Sequence, residues 1–184
     1  EKWPEIVHHM RNRIGINTGT MVTGNMGSES RFNYTMMGDN VNLAARCESG
    51  AKQFGVYTMV TRDTKEEAEQ FGNRCVFRYL DRIVVKGRTE PVDVYEIMGL
   101  RDHLADEQFA CKEKFEQGID SYQHQQWDRA ISLFEESVEL ERFTPNGDSF
   151  IHTNPSLVYL NRCEVMKENP PPKDWNGVYV MESK

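Results

Sequence analysis

The sequence contains no apolar run near the roughly 20 residues that a transmembrane helix needs. It has no surplus of positive charge either: 22 Lys and Arg stand against 29 Asp and Glu, a net charge of −7. No basic face is therefore expected to neutralise a phosphate backbone, and a nucleic-acid partner is not expected. Cysteines are few. Cys47, Cys75, Cys111 and Cys163 are far apart, and no pair has the short spacing of a zinc or redox site. Reduced, mostly buried thiols in a cytosolic setting are the expectation. The Gly-rich run GTMVTGNMGSES lacks the GK[ST] of a phosphate-binding loop and reads as turn glycines. The first residues, EKWPEIVHHMRNR, have no apolar run after their charges, so they are not a signal peptide. They read as the end of a helix entered from upstream, with His8 and His9 as helix-end residues rather than metal ligands. A piece of a longer polypeptide is expected.

What is present is globular: 184 residues, 38% hydrophobic and 28% charged. Up to about Leu100 the chain mixes strand and helix patterns. NRIGINTG reads as a strand and turn, TMVTGNMGS as a second strand in hairpin with it, and RFNYTMMG as a third extended segment. A helix is predicted from Asp39 as its N-cap to about Ala51 or Phe54, where Gly55 stops it. VYTMVT is a buried strand, RDTKEEAEQFG a short helix, and VFRYLDRIVVKGRTEPVDVYEIM a hairpin with a loop longer than two residues. Hairpins mixed with helices predict an α+β fold with a largely antiparallel sheet.

From residue 101 to 184 the pattern is helical. Two amphipathic helices break near Gln125 and Gln126. Gly118, Tyr122, Trp127, Ala130, Ile131 and Phe134 fall where a tetratricopeptide repeat places its small and aromatic residues. NPSLVYLNRCEVMKEN resembles the first helix of a further unit. Trp175, Val178 and Tyr179 in the Pro-rich tail are candidates to dock on the helices. A single repeat cannot bury its own face, so this extension is expected to lean on the first part of the chain or on a second copy.

Asn42 and Arg46 interrupt the small and apolar pattern of the predicted helix after Gly38. Four residues apart, they share one helix face. On spacing alone they could be solvated surface groups. The context adds more: this helix starts directly after a strand, so its N-terminus can present free N–H groups and a positive dipole. An amide and a guanidinium beside that end could both reach one phosphate or one ribose, and a guanidinium suits charge developing on a phosphoryl group.

The segments RIGINTG, VTGNMGS, NYTMMGDNVNLAARCE and VKGRTEPVDVYEI together resemble the C-terminal half of a class III adenylate or guanylate cyclase catalytic domain, over residues 11–98. The resemblance implies a ferredoxin-like cyclase fold for residues 1–100. It also implies a reaction in which the ribose 3′-hydroxyl of a purine nucleoside triphosphate attacks the α-phosphate and pyrophosphate leaves. It assigns Asn42 to the ribose, Arg46 to the α-phosphate in the transition state, Thr35 to the base and Lys86 to the β- and γ-phosphates, with Arg88 as an assistant. Thr35 points to ATP over GTP, because a hydroxyl both donates to and accepts from the adenine edge. Two metal ions, Mg2+ or Mn2+, are implied, on Asp residues that the family carries further towards the N-terminus. Asp39 and Asp63 do not match them, so no metal ligand is assigned in this chain. A homodimer with shared active sites is implied, as is a cytoplasmic segment that an upstream domain could anchor to a membrane. Protein contacts through the helical tail, a catalytically incomplete dimerisation module, a guanylate cyclase and bicarbonate sensitivity all stay open at this point.

Overall fold

Runs rich in Val, Ile, Thr, Tyr and Phe form the strands, as their stiff side chains favour. They are β1 (Ile14–Ile16), β2 (Val22–Ser28), β3 (Arg31–Met37), β4 (Thr58–Thr61), β5 (Cys75–Ile83) and β6 (Val92–Leu100). The helices are α1 (Asp39–Phe54), α2 (Arg62–Gln70), α3 (Asp106–Gln123), α4 (Trp127–Glu139) and α5 (Pro155–Glu168). The structure, a computed structural model, describes residues 3, 4, 7, 10–28, 31–84, 91–142, 152–172, 174, 175 and 177. His8, His9, Val178 and Tyr179 lie outside the described residues.

A four-stranded sheet runs in the order β1-β4-β6-β5, and β2 and β3 form a separate two-stranded sheet. The fold is α+β. The β5–β6 pair is antiparallel, as the hairpin reading predicts, β4–β6 is antiparallel too, and β1–β4 is parallel with Ile14 opposite Thr58. The predicted pairing of the first two strands does not form. β2 pairs with β3 instead, Val22 opposite Met37. A parallel partner needs a crossover connection, and here the β2–β3 hairpin and α1 provide it between β1 and β4. The glycines predicted as turn residues also differ: Gly24 and Gly27 lie within β2.

One core joins part of the sheet to α1 and to the helices of the extension. It joins Leu43, Cys47, Ala51 and Phe54 of α1, Met59 of β4, Leu80 of β5 and Val94 of β6 to Phe115 and Tyr122 of α3, Phe134 of α4 and Tyr159 of α5. The Leu, Phe, Met and Val side chains among these each contribute about 1.5–3 kcal/mol on leaving water. The helical extension therefore leans on the sheet of the same chain. Gly118 makes the α3–α4 contact close, since a Cβ there would meet the Phe134 ring at 2.7 Å. Trp175 packs edge-on against Tyr122, with ring centroids 5.2 Å apart.

Strand β5 does not alternate between buried and exposed positions. Val76, Phe77, Arg78, Leu80, Asp81 and Ile83 are all buried, and register shifts interrupt its ladder. Two of these are charged and meet the extension. Arg78 bonds Glu96 of β6 at 2.6 Å and Glu141, just after α4, at 2.7 Å. Asp81 bonds Arg162 of α5 at 2.7 Å. The Tyr159 hydroxyl donates to the Leu80 carbonyl at 2.7 Å. Burial raises the Glu96 and Asp81 carboxyls above the ordinary carboxylate range, and the guanidiniums beside them oppose that shift.

Candidate active site

The helix α1 is built from a four-residue apolar spacing: Leu43, Cys47 and Ala51 are buried, with Phe54 completing the stripe. Its start differs from the prediction. Gly38, at φ 140°, is the cap, and Asp39 is the first helical residue, where its carboxylate suits the positive end of the helix. The Asn42 N–H donates to the Gly38 carbonyl at 3.2 Å and closes the first turn. At the other end Gly55 caps the helix in the left-handed conformation, as predicted.

Asn42 is exposed and Arg46 is half-buried, one turn apart on a line beside the buried stripe. Thr35 lies on β3 opposite Gly24 and is half-buried. That strand leads through Gly38 straight into α1, so the three side chains sit on two consecutive elements joined by a single glycine. Lys86 and Arg88, in the connection between β5 and β6, lie outside the described residues.

The residues that hold the N-terminal end of α1 were not singled out by the sequence. The Asn17 amide donates to the Asn40 backbone carbonyl at 3.1 Å and to its side-chain oxygen at 3.2 Å. Asn40 in turn donates to the Thr20 carbonyl at 2.9 Å. Thr61, buried on β4, donates to Asn17 at 2.7 Å. This chain of amides ties the loop after β1 to the first turn of α1 and to β4. Gly15 permits the close approach beneath it, because a Cβ there would lie 2.1 Å from the Ala44 carbonyl oxygen. The only signal in the sequence was the pairing of NTG after a strand with GDN before a helix, both of which also read as ordinary turns.

Asp39 and Asp63 are exposed in the first turns of α1 and α2. Among the described residues, no group of three or more His, Cys, Asp or Glu side chains is placed to hold a metal ion. These residues do not fit a metal centre.

The family model described as the adenylate and guanylate cyclase catalytic domain matches residues 4–99, just over half of the chain. The chain belongs to this cyclase family. It is 32% identical over 151 residues to the terminal-differentiation-specific adenylate cyclase of Dictyostelium discoideum, covering 82% of this chain and 7% of that protein. Adenylate cyclase 1 of Rhizobium meliloti is 37% identical over 90 residues, or 49% of this chain and 13% of the relative. The chain thus spans a small part of these relatives. The 151-residue alignment is longer than the family match, so similarity to the Dictyostelium protein continues into the helical extension. Among solved structures, the adenylyl cyclase CyaB from P. aeruginosa shares 32% identity over 50% of this chain and 45% of its own, with a TM-score of 0.42. Among the described residues no helix of this cyclase-family chain is long and apolar enough to cross a membrane.

Proposed function

We propose that this chain supplies the transition-state and base-reading side of an adenylate cyclase, which converts ATP to 3′,5′-cyclic AMP and pyrophosphate. The observation that carries the reading is the alignment of Asn42 and Arg46 on the solvent-side edge of a helix whose N-terminus is pinned by the Asn17–Asn40 amides. In the reaction the ribose 3′-hydroxyl gives up its proton to water and its O3′ forms a bond to the α-phosphorus. The bond from that phosphorus to the bridging oxygen breaks, and pyrophosphate carries away the electron pair. Arg46 neutralises charge on the equatorial oxygens, Asn42 orients the ribose, Thr35 reads the adenine edge, and Lys86 holds the β- and γ-phosphates. The adenylate cyclase names of the Dictyostelium and Rhizobium relatives support the choice of base. Ligands for Mg2+ or Mn2+ are assigned to a part of the protein other than this segment.

The reading includes a ferredoxin-like cyclase domain over residues 1–100 and a tetratricopeptide-like extension over 101–184. The Gly118–Phe134 contact and the helical pairing of α3 with α4 support the second. It also includes a homodimer with shared sites. Supporting this, Phe32, Tyr34 and Met36 are exposed at alternate positions of β3, a row of large side chains that a solvated hairpin would not favour. The test is turnover of ATP and of GTP by the full-length protein with Mg2+ or Mn2+, on material whose oligomeric state is measured by sedimentation. ATP is expected to be preferred, by a dimer. Preference for GTP would overturn the base assignment, and full activity in a monomer would overturn the shared site.

A further inference from the structure

The C-terminal end of α1 is seated on the helical extension. Gly55, its cap, is so close to the chain entering α5 that a Cβ would lie 1.8 Å from the Thr153 carbonyl oxygen and 3.2 Å from the Asn154 Cα. Asn154 is itself fixed as the cap of α5, its side chain accepting from the Leu157 N–H at 2.8 Å. One turn into α5 the core is continuous with α1, since Tyr159 and Cys163 share a cluster with Cys47, Ala51 and Phe54.

Arg162 joins these parts with a single side chain. Its guanidinium bonds Asp81 of β5 at 2.7 Å, lies 5.7 Å from the centroid of the Phe54 ring at the end of α1, and lies 4.8 Å from that of Tyr159 on its own helix. It is buried. A residue needed only to fill this space could be Met or Leu, without the desolvation cost of a charge. What the guanidinium adds is direction: a planar face set against a ring of α1 while its donors are fixed to a strand.

We propose that Arg162 is a positioning residue for α1, and through α1 for the chemistry assigned to Asn42 and Arg46. The inference deepens the cyclase reading and rests on it for its catalytic half. Mechanically, α1 is a rod held at two ends. The Asn17–Asn40 amides hold the N-terminal end. The Thr153–Asn154 backbone and Arg162 hold the other. Arg46 lies about 10 Å along the rod from its first residue, so a tilt of about 5° moves it by about 1 Å. A displacement of that size can cost about 10²-fold in rate. The extension would then be part of the machinery that sets the active-site geometry, and any ligand or partner that shifted α5 would be felt at Arg46.

The test uses Arg162→Met in the full-length protein, below its melting temperature, with two readouts. Amide hydrogen exchange of the last two turns of α1 is expected to speed up about ten-fold or more, while β2, β3 and α4 keep their protection. Turnover of ATP is expected to fall about 10- to 10²-fold in kcat with KM nearly unchanged. Arg162→Lys should restore only part of this, because an ammonium keeps the Asp81 contact and loses the planar face on Phe54. If Arg162→Met does not fold, Asp81→Asn weakens the same hold at constant shape and is expected to give the same pattern, smaller. Normal kcat in the folded variant would overturn the proposal. So would exchange that quickens evenly over sheet and helices, the mark of a merely stabilising residue. The two layers separate cleanly. Arg46→Ala should lower kcat by about 10²–10³ without changing exchange in α1. If the wild type turns over no nucleotide, the cyclase reading fails while the exchange arm still decides whether Arg162 positions the helix.

Discussion

At the scale of single residues, the contrast between Arg46 and Arg78 is instructive. Both are guanidiniums in regular elements, but Arg78 is buried and held by Glu96 and Glu141, whereas Arg46 is half-buried on the helix line it shares with Asn42. Arg78 is a structural charge. Burial works against its ionisation, but the two carboxylates outweigh this and raise its pKa. Arg46 is the one expected to act on substrate. Arg46→Ala should therefore lower kcat by about 10²–10³, the usual loss for one positioned donor to a developing charge. The melting temperature should barely move, since Ala is the best helix former. Arg46→Lys should recover little, because an ammonium lacks the planar fork. Steady-state kinetics and a melting curve on one preparation check this, and a normal kcat would remove Arg46 from the mechanism.

At the scale of elements, the glycine that ends α1 and a glycine within β2 differ in kind. Gly55 needs its missing Cβ twice over, for its left-handed backbone and for the Thr153 carbonyl packed against it. The backbone conformation alone makes Gly55→Ala cost about 1–2 kcal/mol, and the clash adds to it by forcing α1 and α5 apart. Gly24 on β2 has open space where a Cβ would go, so Gly24→Ala should change stability by no more than about 0.5 kcal/mol. Urea unfolding of the two variants beside the parent measures the difference. Equal stabilities would mean that the α1–α5 contact gives way without cost.

At the scale of the whole molecule, sheet and extension share one core, Cys47 and Cys163 are part of it, and Cys111 is buried beside it. Burial raises the pKa of Cys47 and of Cys111 to about 11 and that of Cys163 to about 12, from an ordinary 9.0. Above pH 9 the unfolded chain ionises these thiols while the folded one keeps them protonated, so the folded state binds more protons. Stability should therefore fall as pH rises from 9 towards 11, by up to about 1.4 kcal/mol per pH unit for each thiol. Urea midpoints measured from pH 8 to 10.5 should show this decline. A Cys47→Ala, Cys163→Ala double variant, less stable at neutral pH because of its cavities, should show a shallower one. Identical slopes would assign the alkaline loss to other groups.

What the sequence by itself determined was local. The alternation and β-branching of the strands, the stripe Leu43, Cys47, Ala51 and Phe54, the stop at Gly55 and the break near Gln125 follow from periods of two and 3.6 residues and from backbone preferences within a few positions. The placing of Asn42 and Arg46 on one face of α1 belongs to the same class, because helical spacing alone aligns them. Strand pairing was a different matter. Whether β2 turns back on β1 or forward onto β3 depends on the amide bonds from Asn17 to Asn40 and on the parallel seat beside β4, partners 23 and 44 residues away. The buried charges were equally illegible. Arg78 and Asp81 read as polar interruptions of a strand until Glu141 and Arg162 arrive from the extension, 63 and 81 residues later, to neutralise them. Local periodicity can assign a side chain to a face, but only tertiary contacts decide what covers that face, because the free energy of a buried charge is fixed by partners that sequence distance does not reveal.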